Sequence, residues 1–144
     1  MTLVIACGNP LRGDDGVGPV VAARLNAGQY PCTVVTVQAL VPELAEAVSQ
    51  ASRVVFVDAR LGAPAGSVTT ERVLPTLADV ANQGHGLGPG GIVGLATTLY
   101  GWQGDAWLVT VGGFTFDYSG TLSAPALAAI PAALNAVVSM LVSC

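Results

Sequence analysis

The segment Arg53–Val57 (RVVFV) is apolar on both sides of any strand it could form, and it stops at Asp58. Thr2–Cys7 (TLVIAC), the β-branched Cys32–Val37 (CTVVTV) and Ala106–Val111 (AWLVTV) read the same way. A strand with no polar side cannot lie with one face in water. Such runs therefore predict strands covered on both faces, the habit of parallel sheets. Helical stretches alternate with them. Val17, Val20, Val21 and Leu25 follow three- and four-residue spacing, and Pro42–Gln50 opens on a proline that suits a first helical turn. Gly90–Tyr100 is followed by Gly101 as a C′ residue, and Ser123 caps Ala124–Val142, a helix expected to be interrupted near Pro131. Ser67–Leu74 alternates weakly and reads as an edge strand. The Gly/Pro clusters at 62–66, 84–91 and 112–120 read as loops, because none separates two core-sized pieces. The pattern predicts an α/β protein: one domain over 1–144, built as a three-layer α/β/α sandwich with a mostly parallel central sheet and one antiparallel edge strand.

Composition narrows the function classes. Only 10% of residues are charged and 52% are hydrophobic, so the chain can bury a sizeable core. The net charge is −4 and there is no lysine, which argues against a nucleic-acid protein held by phosphate contacts. Cys7, Cys32 and Cys144 form no CxxC pair and are odd in number, which points to a reducing compartment. The N-terminus lacks the basic flank of a signal peptide. The charge-free stretch Tyr118–Cys144 is long enough to span a bilayer, yet its prolines and alanine content suit a helix lying on a sheet.

Three loops carry residues suited to chemistry. The first, GNPLRGDDGVG at Gly8–Gly18, follows the first strand, where ligands collect in open α/β sheets. It lacks the lysine of a P-loop and the spacing of a dinucleotide site. One of Asp14 and Asp15 can cap a helix, or be neutralised by Arg12, while the other stays free to meet a cation or a reacting group. The second is Asp58, which reads either as a turn residue with Arg60 in reach or as a carboxylate in the same crevice as Asp15. The third is His85, the sole histidine, in QGHGLGPG. Two carboxylates and an imidazole make a donor set suited to nickel, zinc or a similar divalent ion. Asn9, Gln38 and Glu43 are candidates for contacting substrate; helix and loop roles are the plainer reading of Gln38 and Glu43. Cys7 lies in an apolar strand with no base expected beside it, so a catalytic thiol is rejected.

Taken in order, GNPLRGDDGVG, VVFVDA at Val54–Ala59, HGLGP at His85–Pro89, AWLVTVGG at Ala106–Gly113 and TLSAPALAAIPAAL from Thr121 resemble the NiFe-hydrogenase maturation endopeptidases over nearly the whole chain. The resemblance implies a cytoplasmic peptidase. It would remove a short C-terminal extension from the hydrogenase large-subunit precursor after nickel insertion, with the substrate-bound nickel as recognition element. It places the metal contacts on Asp15, Asp58 and His85. For activating water two routes stay open: a carboxylate, Asp15 or Asp58, as general base, or a metal that polarises the carbonyl or the water. The family often carries Glu at the first of these positions; Asp15 shortens the reach by one methylene. The residues alone leave two alternatives: a non-catalytic metal- or precursor-binding maturation module, and a small-ligand α/β domain using the glycine-rich loop.

Overall fold

A computed structural model describes residues 1–77 and 87–141. Five strands form a single sheet: β1 (Thr2–Cys7), β2 (Cys32–Val37), β3 (Arg53–Arg60), β4 (Val68–Arg72) and β5 (Asp105–Gly112). Their order is β2-β1-β3-β5-β4, with all pairings parallel except that of edge strand β4 with β5. The helices among the described residues are a single 3-10 turn (Gly13–Gly16) and α1 (Val17–Gly28), α2 (Leu44–Ser49), α3 (Pro89–Tyr100) and α4 (Ala124–Leu141).

Period-two alternation within the apolar strands builds two cores, one on each face of the sheet. Val4, Val55, Val57, Val109 and Val111 pack with α1 and α4. Leu3, Ile5, Val54, Phe56 and Ala106 pack with α2, α3 and Trp102. Each fully buried Val or Phe contributes about 1.5–3 kcal/mol of transfer free energy, so neither face can be uncovered cheaply. The expected three-layer sandwich and its antiparallel edge strand are therefore what the chain forms.

Three local expectations need correction. β3 continues through Asp58 to Arg60, because Asp58, Ala59 and Arg60 stay in register with Thr110, Val111 and Gly112 of β5. Asp58 is thus a strand residue, not a turn residue. α2 begins at Leu44, and Pro42 lies in the preceding turn, its carbonyl accepting the Ala45 N–H. α4 runs through Pro131 without interruption. The ring lies on the exposed side, and Leu127, four residues back, is exposed too, so water can take the carbonyl that proline leaves unbonded. Val142, where that helix was expected to end, lies outside the described residues, as does Cys144. α4 is long and apolar enough to cross a membrane, yet its inner face of Ala126, Ile130, Ala133, Val137 and Leu141 is buried in the core.

Candidate active site

Strand order fixes where a crevice can open. The chain moves from β1 to β2 on one side, then returns past β1 to β3 on the other, with α1 and α2 on opposite faces. At such a reversal the loops leaving neighbouring strands diverge, and a ligand site opens beyond their carboxyl ends. β1 ends at Cys7, one residue past the last β1–β3 pair, Ala6 with Val57. Asp58 is the next residue of β3, so it stands at the mouth of this crevice.

Asp15 reaches the same mouth from the loop after β1. Gly8 has φ of +149°, and a Cβ there would come within 1.9 Å of the Asp15 carbonyl oxygen. Only glycine lets the end of β1 touch the turn that follows. The start of α1 is equally tight, since a Cβ on Gly18 would fall 2.5 Å from the Cys7 carbonyl oxygen. The Asn9 N–H donates to Asp15 Oδ2 at 2.7 Å, and Asn9 Oδ1 accepts the Leu11 N–H at 2.9 Å. The glycine-rich loop is therefore a device for pressing backbone against backbone and presenting one carboxylate.

The electrostatics join the two acids. Burial pushes the Asp58 carboxyl up to about 6. The Ala59 N–H, donating to Asp58 Oδ1 at 2.8 Å, opposes this, while the Asp15 charge adds to it. The Cys7 thiol, half-buried beside them, is driven up to about 11 by burial, by Asp58 and by Asp15. Its Sγ points at the Gln38 carbonyl oxygen 3.9 Å away. Cys7 remains unsuited to attack: burial, with two acids beside it, holds the proton on sulfur.

Neither arginine neutralises the pair. Arg12 stacks on the Tyr118 ring, 5.4 Å from its centroid, and Arg60 pairs with Glu71. Asp14 departs furthest from expectation. It is fully buried, and its side chain caps neither end of the 3-10 turn Gly13–Gly16 in which it lies. Its Oδ2 accepts the N–H groups of Phe114 and Thr115 and the Ser123 hydroxyl, and its Oδ1 accepts the Ser123 N–H. Burial works against the charge, but these four donors outweigh it and hold the Asp14 carboxyl below its ordinary range.

Of the other candidates, Asn9 lies in the Asp15 loop, and Gln38 follows β2 on the same rim, exposed. Glu43 is exposed in the turn before α2, and no hydrogen bond or ion pair joins it to either acid. His85 lies outside the described residues. Among the described residues, no group of three His, Cys, Asp or Glu side chains is poised around one point to hold a metal. The two acids supply oxygen donors only; the borderline character of the expected donor set rests on the imidazole of His85.

These features define an α/β/α sandwich with a two-carboxylate crevice at the strand reversal. The same fold is found in solved hydrogenase maturation proteases. The NiFe hydrogenase maturation protease HybD from Thermococcus kodakarensis superposes with a TM-score of 0.76 at 21% identity, over 97% of this chain and 98% of that one. The hydrogenase maturating endopeptidase HybD from E. coli matches with a TM-score of 0.72 at 20% identity, over 97% and 91%. A hydrogenase 2 maturation peptidase from a Thaumarchaeota archaeon matches with a TM-score of 0.72 at 24% identity, over 98% and 97%. No protein-family model and no curated protein sequence matches the chain.

Proposed function

We propose that this chain is a cytoplasmic endopeptidase that removes the C-terminal extension of a NiFe-hydrogenase large-subunit precursor after nickel insertion. The observation that carries the reading is the meeting of Asp15 and Asp58 at the strand reversal, in a fold shared with proteases of that kind. Nickel enters as cargo, already held by the precursor. Asp15 and Asp58, with His85, supply the donors that recognise it, so only a loaded precursor brings its scissile bond into the crevice. Asn9 and Gln38 flank that path, and Glu43 is the outermost candidate contact.

Hydrolysis then requires a water to add to the peptide carbonyl and a proton to reach the departing amine. Asp15 and Asp58 share the work unequally. Asp58, half-buried and facing another acid, holds a proton far more readily than an ordinary carboxylate, so it suits the donor role. Asp15 is the candidate for accepting the proton of the attacking water. Incubation with nickel-loaded and nickel-free precursor tests the reading. Shortening of the loaded form alone is expected; shortening of both, or of neither, overturns it.

A further inference from the structure

Asp15 and Asp58 come from separate segments, so something must refer one to the other. Asp58 is tied to β5 through its register with Thr110. Past Gly112, the end of β5, the chain enters the segment that supplies Phe114, Thr115 and Ser123. The donors that Asp14 collects come from there, 100 to 109 residues away in sequence. Three of those four contacts are 2.7 Å and the fourth is 3.1 Å. The Asp14 N–H also donates to the Thr115 carbonyl at 2.8 Å, and the Gly13 N–H to that of Ser119 at 3.0 Å. The next residue after Asp14 is Asp15, whose own carboxylate is steadied by the Asn9 N–H.

We propose that Asp14 is a positioning residue that sets Asp15 against Asp58, closing a ring that runs Asp15, Asp14, the 114–123 segment, β5, β3, Asp58. A buried, charged acceptor with four donors is stiff, because any displacement strands several N–H or O–H groups without partners. A shift of about 1 Å in a reacting group can cost as much as a hundredfold in rate. The stiffness of this joint therefore bears on both tasks given to Asp15, meeting the cargo nickel and serving the attacking water. The activity arm of the test rests on the processing reading above; the structural arm does not.

The experiment compares Asp14→Asn, Ser123→Ala and Ser123→Thr in the full chain. Asp14→Asn turns an amide NH₂ toward groups that are themselves donors. Ser123→Ala deletes one donor, and Ser123→Thr restores it. Amide hydrogen exchange of Asn9 reports whether Asp15 stays in place, with Val55 and Phe56 of β3 as internal reference. In Asp14→Asn, Asn9 exchange is expected to quicken several-fold relative to β3. Precursor processing is expected to lose about tenfold or more in kcat/KM. Ser123→Ala follows in the same direction by less, and Ser123→Thr returns to wild-type values. If Asp14→Asn does not fold, the serine pair decides alone. Uniform loss of protection across Asn9 and β3, or unaltered Asn9 exchange, overturns the proposal. So does a loosened Asn9 with full kcat/KM. If the wild-type chain processes no precursor, the function reading fails while the exchange measurement still decides the role of Asp14.

Discussion

β3 carries a charged residue near each end of the sheet, and the two are treated oppositely. At its start, Arg53 meets Asp105 at the start of β5. Its Nε donates to both carboxylate oxygens at 3.0 and 3.1 Å, and Trp107 Nε1 adds a third hydrogen bond at 3.0 Å. Burial alone would raise Asp105, but the Arg53 and Trp107 donors and the Arg53 charge hold it below its ordinary range. Toward the other end, Asp58 meets another acid, is given only its neighbour's N–H, and is raised to about 6. The same strand thus has a compensated end and an uncompensated one. A carboxylate left without a cation in a half-buried crevice costs stability, and such costs gather at working sites.

The largest expected effect falls at the uncompensated end. Asp58→Asn should abolish precursor processing. It should also make the protein more stable at pH 8, because the amide keeps the Ala59 contact and sheds the charge. The gain is up to about 3 kcal/mol, since each tenfold change in proton affinity is worth about 1.4 kcal/mol. Thermal unfolding beside a processing assay checks both; a destabilised Asp58→Asn would break the contrast. Asp14→Ala is expected to cost about 3 kcal/mol or more, since it leaves several buried donors unpaired. Chemical denaturation at neutral pH measures it. At the compensated end, Asp105→Asn should cost about 1–2 kcal/mol and leave processing intact.

The pH dependence has opposite signs at the two ends. Asp58 is raised, so its contribution is fully present below its unfolded value of about 4 and is lost as pH climbs through about 6. Asp14 and Asp105 are lowered, so theirs is present above about 4 and is lost as pH falls through their folded values. Stability should therefore peak near about pH 4 and decline on both sides, the alkaline fall running to about pH 6. Asp58→Asn should flatten only the alkaline side, as a Tm series across pH would reveal. The smallest effect is Arg12→Ala, expected below about 1 kcal/mol and without influence on the titration of Asp58, because Arg12 lies on Tyr118 and not on the acids. Carboxyl NMR titration reads this directly.

Much of the fold was legible from local pattern. Thr2–Cys7 and Cys32–Val37 are strands with the expected bounds, and Gly101 ends α3 in the left-handed conformation that a C′ glycine favours. Ser123 does meet the start of α4, its Oγ accepting the Ala126 N–H. The misreadings arise where a neighbour distant in sequence decides. Pairing with β5 carries β3 past Asp58, and packing of the inner face of α4 carries that helix past Pro131. In the site, both acids were nameable from the chain, since a low-charge sequence that spends two carboxylates side by side invites a question about each. Residue type and spacing left open which of Asp14 and Asp15 is the free acid; only the family resemblance pointed to Asp15.

By itself the sequence determined the alternation of two-faced strands and helices, and with it the sandwich. Period and burial are properties of consecutive residues, and the hydrophobic effect acts on them wherever the chain goes. Only the tertiary structure decided that Asp14 turns inward to donors a hundred residues away while Asp15 turns toward Asp58. Adjacent residues in a tight turn point in different directions, and which direction meets donors and which meets another charge depends on strand order. The chemistry of the pair is a consequence of that arrangement in space.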